Sequence, residues 1–291
     1  MRTMRTSLLA SIVAAGTLLL SAPARAQAPD PAAISSEQIS RILASPDRSA
    51  ADRTNDLRRK PEAMLGFIGI RPGMTALDLS AAGGYTTELL ARAIGPGGVV
   101  YGQSPPPRDP GQVRPPPAAP EGNSNPTIAP APAAAGPSRP SPVALAEREA
   151  RLRAAGVAAA SIVPVSRPFE DSVPPELVPD RLDLVTLMFN YHDLGHLGAD
   201  RAAMNAAVFR ALKPGGHYVI ADHAGRAQTG ISEAGTLHRI EQAFLRGEVE
   251  AAGFTLEAEG TFLRNPNDPR DRNTPDPPQP KDEFVLKFVK P

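Results

Sequence analysis

Short apolar runs alternate along this chain with segments whose apolar residues recur every three or four positions. Residues 75–79 and 182–189 are almost continuously apolar, which is typical of strands buried on both faces of a sheet. Residues 217–221 predict a further strand, and residues 86–94 and 199–212 predict amphipathic helices. Strands and helices alternating at this spacing predict an α/β protein with a mostly parallel sheet.

The rest of the chain extends this pattern. Further strands are predicted at residues 99–102, 161–165, 254–262 and 284–289, and further helices at residues 52–68, 143–155 and 237–252. Ser36 followed by Gln38 is a helix start signal, and Pro61 suits the first turn of a helix. The Lys-Pro-Gly-Gly segment at residues 213–216 predicts a turn before the fifth strand.

The first segment has the features of a cleavable signal peptide. Arg2 and Arg5 precede an apolar stretch at residues 7–22, and a small-x-small triplet ends at Ala26. Cleavage there removes residues 1–26 with three of the arginines, which leaves a net charge of −3. We therefore expect a periplasmic or secreted protein, with no membrane insertion after cleavage.

Composition divides the mature chain further. Residues 27–51 predict a disordered, then helical lead-in, and residues 52–291 a single domain. Residues 104–142 contain 14 prolines and no apolar periodicity, which predicts a mobile insertion. A tolerated surface insertion is favoured over a partner-binding segment.

Charge and cysteine content exclude several function classes. Lys and Arg number 31, as do Asp and Glu, whereas a nucleic-acid-binding protein usually has a basic surplus. The chain has no Cys, which excludes disulfides, a Cys-ligated zinc site, a thiol nucleophile and a lipidated cysteine.

Three segments carry polar or small residues just after predicted strands. They are residues 78–85, residues 190–193 and residues 222–223. Ligands of open parallel sheets bind beyond the carboxyl ends of the strands, so all three segments are expected to face one cleft. Small residues in the first segment permit close approach of a ligand to the backbone and to a helix N-terminus.

On these segments the chain resembles class I S-adenosylmethionine-dependent methyltransferases. More narrowly, it is similar to predicted exported bacterial methyltransferases with a Tyr-His-Asp segment after the fourth strand, here residues 191–193. The Arg-Pro-Gly-Met segment at residues 71–74, the Leu-Lys-Pro-Gly-Gly segment at residues 212–216 and a closing β-hairpin support the resemblance. It covers roughly residues 52–291.

The resemblance implies a Rossmann-like fold, with a seven-stranded sheet whose last strand is antiparallel and with helices on both faces. It implies S-adenosylmethionine as methyl donor and a small-molecule or envelope acceptor. The donor-binding residues implied are Asp78, Ser80, Ala82, Gly83, Gly84, Tyr85, Gln103 and Asn190. In the family's Asp-x-Gly-x-Gly-x-Gly loop, Ser80 and Ala82 take the first two glycine positions, and Gln103 takes the place of an acidic residue.

His192 is the candidate catalytic residue, because a neutral imidazole after the fourth strand can accept a proton from an acceptor. Asp193 either orients His192 or caps the next helix. A metal site that gathers His192, Asp193, His196 and His223 is a weaker alternative, and we predict no metal. His217 and His238 are expected to be structural.

Two other functions compete with methyl transfer. A non-catalytic binding protein on the same fold is suggested by Ser80, Ala82 and Gln103, and by the uncertain supply of the donor outside the cytoplasm. A nicotinamide-dependent oxidoreductase is the weaker of the two, because the chain lacks Gly-x-Gly-x-x-Gly in the first loop and an acid closing the second strand.

Overall fold

A seven-stranded sheet forms the centre of the computed structural model, which describes residues 32–107, 140–273 and 279–291. The strands are β1 (Thr75–Leu79), β2 (Val99–Ser104), β3 (Ser161–Ser166), β4 (Leu182–Met188), β5 (Leu212–His223), β6 (Thr255–Gly260) and β7 (Glu283–Val289). They lie in the order β3-β2-β1-β4-β5-β7-β6. β7 pairs antiparallel with β5 and β6, and all other neighbours pair in parallel.

Helices cover both faces of this sheet, as the sequence predicts. They are α1 (Ser36–Ala44), α2 (Ala50–Arg59), α3 (Pro61–Ile68), α4 (Tyr85–Ile94), α5 (Ser141–Ala154), α6 (Tyr191–Leu197), α7 (Arg201–Ala211), α8 (Ala234–Leu237) and α9 (Gln242–Ala251). No helix within the described ranges is both long and apolar enough to cross a bilayer. The predicted fold class is confirmed.

The core consists of two apolar layers, one on each face of the sheet. Leu77 of β1 and Val185 of β4 belong to one buried cluster, and their neighbours Ala76 and Leu184 belong to the other. Successive side chains of a strand point to opposite faces, so a strand covered on both faces must be apolar throughout. This burial explains the continuous apolar runs of β1 and β4 and directs their carboxyl ends to one edge.

Residues 52–68 lie in two helices, α2 and α3, and the second begins at Pro61, the residue predicted to lie in a first helical turn. Lys60 adopts a left-handed conformation with φ 44°, which ends α2 and begins α3 at Pro61. Proline suits the first position of a helix because its missing N–H has no intrahelical partner there. The start signal near Ser36 is confirmed, with Ser35 as N-cap and Gln38 completing a capping box.

Two further boundaries differ from the prediction. The Lys-Pro-Gly-Gly segment lies within β5, where the register against β4 shifts between Leu182 and Leu184. The helix predicted over residues 237–252 begins only at Gln242, as α9, because His238 has φ 50° and ends the short helix α8 before it. This break places the His238 side chain beside the end of β4, where it becomes part of the candidate site.

Two sequence predictions fall on residues outside the described ranges. The signal peptide at residues 1–26 is one of them, and most of the proline-rich segment at residues 104–142 is the other. The flanks of that segment are described: residues 104–107 continue from β2, and α5 begins at Ser141.

Candidate functional site

The loop after β1 contains left-handed residues at every second position. Ser80 has φ 57°, Ala82 φ 48° and Gly84 φ 78°. A residue with a Cβ enters this region at a cost of about 1–2 kcal/mol, and strain of this kind collects at ligand-binding sites. The loop therefore keeps, at Ser80 and Ala82, a backbone shape that glycine adopts freely.

Glycine at position 82 should relieve that strain. We expect Ala82→Gly to raise the free energy of unfolding by about 0.5–1 kcal/mol, because the relief exceeds the entropy that glycine adds to the unfolded chain. Urea denaturation measures the change. The control is Ala146→Gly at an exposed position of α5, which should lower stability by about 1 kcal/mol. Equal losses in both variants would contradict the assignment of strain.

Asp78 joins three elements below this loop. Its carboxylate accepts hydrogen bonds from Thr87 Oγ1 of α4 at 2.6 Å and Thr186 Oγ1 of β4 at 2.7 Å. Burial raises the pKa of Asp78 to about 6, although the two threonines and Arg59 act to lower it. Asp78 is only 2% exposed, so its carboxylate lies inside the protein and does not face the cleft. It orients the loop from the interior of the protein.

Gln103 fastens the other side of the loop. Its Oε1 accepts the Ser80 N–H at 3.1 Å, and its Nε2 donates to the Arg167 carbonyl at 2.6 Å. The side chain is fully buried. A carboxylate has no hydrogen to donate to Arg167, which explains an amide at this position. Both ends of the Gln103 amide are thus engaged inside the protein.

Ser104 is the last residue of β2, and sequence reasoning missed it. Its Oγ is buried and has no hydrogen-bond partner among the described residues. Buried hydroxyl groups nearly always find a partner, so the unpaired Ser104 Oγ is exceptional, although Ser172 Oγ and Tyr218 OH share this property. A serine at a strand end carries no charge or motif that would have identified it beforehand.

Helix α2 lies against this loop and against the end of β4. The Tyr85 hydroxyl donates to Asp56 of α2 at 2.7 Å, and Arg48 also binds Asp56 through two hydrogen bonds. The guanidinium of Arg59 lies 4.1 Å from the centroid of the Phe189 ring, within the range of a cation–π contact. Tyr85 thereby connects the first turn of α4 to α2.

Arg148 of α5 also holds the loop after β1 in place. Its Nε donates to the Gly83 carbonyl, and its other nitrogens bind Asp52 of α2 at 2.8 and 2.9 Å and Glu88 of α4 at 2.6 Å.

A Cβ on Gly84 would lie 2.6 Å from Leu145 and 2.8 Å from Arg148, both in α5. Only glycine leaves room for α5 here. No pattern in the sequence indicated that the helix after the proline-rich segment would contact this loop.

Asn190 connects the loop to the residues after β4. Its Oδ1 accepts the Ser80 hydroxyl at 2.7 Å, and its Nδ2 donates to Asp193 Oδ2 at 2.9 Å. The structure therefore brings Ser80, Asn190 and Asp193 together in one hydrogen-bonded chain. Gly195 permits the helix that follows, because a Cβ there would lie 2.5 Å from Ile231.

His192 is held between two carboxylates. Its Nδ1 lies 2.6 Å from Asp222 Oδ1, its Nε2 lies 3.1 Å from Asp193 Oδ1, and its N–H donates to Asp222 Oδ2 at 2.8 Å. Burial opposes the charged form, but Asp222 and Asp193 outweigh it and raise the pKa of His192 to about 9. The metal-free site thus holds an imidazolium, not the neutral ring that a general base requires.

The environments of His238, His223 and His217 differ from one another. His238 Nδ1 lies 3.0 Å from Asp193 Oδ1, so this residue, expected to be structural, is part of the cluster. His223 Nδ1 lies 2.9 Å from Glu283 Oε1 without hydrogen-bond geometry. Burial and Lys281 hold the pKa of His223 well below its usual value. His217 is remote and binds Glu257 at 2.9 Å.

This architecture occurs in solved structures of methyltransferases. A candidate methyltransferase of Haloferax volcanii, in complex with the Trm112 methyltransferase activator, superposes with a TM-score of 0.50 and 15% identity over 89% of this chain and 99% of that one. An S-adenosylmethionine-dependent methyltransferase from Aquifex aeolicus has a TM-score of 0.49 and 15% identity, over 89% of this chain and 100% of that one. The fold is the Rossmann-like methyltransferase fold. No protein-family model and no curated protein matches the chain.

The residues at the β1 loop fit the methyl donor that the methyltransferase fold implies. Ala82 and Gly83 are exposed, and a Cβ on Gly83 would meet nothing within 4 Å. The loop therefore opens toward solvent directly before the N-terminus of α4, where backbone N–H groups favour polar and anionic ligand atoms. Ser104 Oγ adds an unpaired polar atom at the end of the neighbouring strand.

Proposed function

We propose that this protein is an exported S-adenosylmethionine-dependent methyltransferase that acts on a small molecule or an envelope component. The single observation that carries the proposal is the β1 loop, which adopts three left-handed residues on a methyltransferase fold although two of them carry a Cβ. Single left-handed residues with a Cβ also end helices at Lys60 and His238, but strain at two alternate positions of one loop, directly before a helix N-terminus, is what a ligand-binding loop would maintain.

S-adenosylmethionine would supply a methyl group on a sulfonium sulfur. Ala82 and Gly83 would receive its polar end at the α4 N-terminus, with Asp78 and Gln103 fixing the loop from below. Tyr85 would border the donor beside α2, and Asn190 would mark the side where an acceptor enters. Methyl transfer depends mainly on alignment of acceptor, methyl and sulfur, and these contacts would position the donor for it.

His192 would contribute to this reaction by holding other residues in position. Its ring is 2% exposed, and both ring nitrogens face carboxylates. It therefore ties Asp193, and through it Asn190, to the end of β5. An acceptor would lose its proton to water or to a basic group of its own.

Donor binding to the protein purified after expression of the full chain tests the proposal. Calorimetric titration with S-adenosylmethionine and S-adenosylhomocysteine should give micromolar dissociation constants. Gly83→Phe should abolish binding without loss of stability, since the position has ordinary φ and open space above it. Gly83→Ala is the matched control and should bind normally. Absence of binding of either ligand at millimolar concentration would refute the proposal.

Export is supported by the basic start, the apolar stretch and the triplet ending at Ala26. Expression of the full chain in a bacterial host should yield a periplasmic or secreted protein whose N-terminus is Gln27. Intact mass and N-terminal sequencing decide this. A cytoplasmic protein that retains residues 1–26 would refute export and leave the donor-binding test unaffected.

A non-catalytic binding protein is the second candidate function. Gln103 favours it, because its fully buried side chain binds the Ser80 N–H and the Arg167 carbonyl inside the protein and presents no carboxylate to the ribose hydroxyls of a donor. Incubation with labelled donor and a cell-envelope extract distinguishes the two. A labelled product made by the purified protein and not by Gly83→Phe supports the enzyme, whereas donor binding without any product supports the binding protein.

A further inference from the structure

One cluster of side chains is not accounted for by donor binding. His192, Asp193 and His238 each direct a possible metal-ligand atom to a common point, and these three atoms lie within 4.8 Å of one another. Asp193 Oδ1 is central, with His192 Nε2 at 3.1 Å and His238 Nδ1 at 3.0 Å. Two imidazole nitrogens and one carboxylate oxygen form a donor set typical of divalent transition metals.

The two contacts to Asp193 Oδ1 agree with a metal centre after a small adjustment. Bonds of about 2.0–2.1 Å in a tetrahedral site place neighbouring ligand atoms about 3.3 Å apart. The two contacts to Asp193 would therefore lengthen by only a few tenths of an ångström. The rings of His192 and His238 are nearly perpendicular at 89°, with centroids 5.6 Å apart, so they approach the common point from different directions without stacking.

Outer partners hold two of the three ligands in orientation. Asp222 Oδ1 lies 2.6 Å from His192 Nδ1, which keeps a proton on Nδ1, so a metal ion would displace only the proton of Nε2, the nitrogen that faces the cluster. Asn190 Nδ2 donates to Asp193 Oδ2 at 2.9 Å, which leaves Oδ1 for the cluster. Carboxylate–histidine–metal arrangements and hydrogen-bonded ligand carboxylates are regular features of protein metal sites.

The cluster is closed on one side and open on the other. The side chain of His192 is 3% exposed, whereas those of Asp193 and His238 are 29% and 36% exposed. An ion could therefore enter from solvent. With three protein ligands it would keep at least one position for water or another oxygen ligand, as catalytic metal sites do.

We propose that His192 Nε2, Asp193 Oδ1 and His238 Nδ1 form a mononuclear site for a divalent transition-metal ion of the zinc type, with Asp222 and Asn190 as outer partners. The site stands at the same edge of the sheet as the β1 loop and is joined to Ser80 through Asn190. Metal binding there does not depend on methyl transfer.

Titration of the chelator-treated, dialysed protein with Co²⁺ tests the site. One Co²⁺ per chain should bind and give the visible absorption bands of a four- or five-coordinate ion with nitrogen ligands, and Zn²⁺ should displace it. His238→Asn should weaken Zn²⁺ binding at least 100-fold. Asparagine tolerates the left-handed backbone of position 238, so this variant should fold.

A matched control comes from the same helix as His192. His196 belongs to α6 but not to the cluster, so His196→Gln should bind Co²⁺ like the unmodified protein. Asp222→Asn should weaken binding about 10–100-fold while retaining one ion per chain. Co²⁺ binding that survives His238→Asn, or no binding at all, would overturn the proposal. Either result could occur with donor binding intact, so the two proposals fail separately.

Discussion

Gly84→Ala should be among the most damaging single substitutions in the β1 loop, with a loss of about 3 kcal/mol of unfolding free energy. The left-handed backbone accounts for about 1 kcal/mol, because Ser80 and Ala82 tolerate the same conformation. The rest comes from overpacking, since the new Cβ would lie 2.6 Å from the fully buried Leu145 and 2.8 Å from Arg148. Urea denaturation followed by circular dichroism gives the difference.

The neighbouring glycine provides the control. Gly83→Ala adds the same methyl group, but at ordinary φ and with nothing within 4 Å, so stability should change by less than about 0.5 kcal/mol. We also expect Gly84→Ala to weaken donor binding, because α5 must move away from the loop. Similar stabilities for the two variants would show that α5 does not press on Gly84.

The His192 ion pair should make stability fall as pH rises, when chelator keeps metal absent. The pKa of His192 is about 9 in the folded protein, above the usual histidine value near 6.5. A raised folded-state pKa adds stability that is fully present below about pH 6.5 and is lost as pH rises through 9. Between pH 6.5 and pH 9, the free energy of unfolding should fall by an amount on the order of 3 kcal/mol.

His192→Gln isolates this effect. It removes the titrating ring and leaves Asp222, which is fully buried, without its cationic partner, so we expect it to lower stability by about 3 kcal/mol at pH 6. Its stability should then change much less between pH 6.5 and 9. Subtracting the two pH profiles cancels other groups such as Lys281, whose pKa burial and Arg239 lower to about 8. Parallel profiles would contradict the imidazolium assignment.

The strands could be predicted because burial on both faces leaves a continuous apolar signal. The bounds of β1 agree with the prediction at both ends, and those of β4 differ by one residue. The left-handed residues Lys60 and His238 could not be predicted, because Pro61 marks only the start of the next helix, and histidine enters this conformation more often than most residues but still rarely. Tertiary packing determines the backbone conformation at these two residues, and residue propensities do not reveal that packing.

The sequence located the candidate site but gave little of its detail. It predicted that Asp78, Asn190 and His192 share one edge, and the parallel sheet places them there. What each one does depends on partners distant in sequence: Thr186 lies 108 residues from Asp78, and Asp222 lies 30 residues from His192. A spacing pattern reports neighbours along the chain, so it could not show that His192 would be charged.

The position of Arg148 has a consequence for how this protein tolerates change in length. Arg148 positions α5 through ion pairs with Asp52 and Glu88 and a hydrogen bond to the Gly83 carbonyl. None of these contacts involves the connection from β2 to α5. Lengthening that connection would add a loop-closure term of about 0.6 kcal/mol for each doubling and would leave these contacts in place. A change in length ahead of α5 should therefore leave the shape of the loop beside Gly84 unchanged.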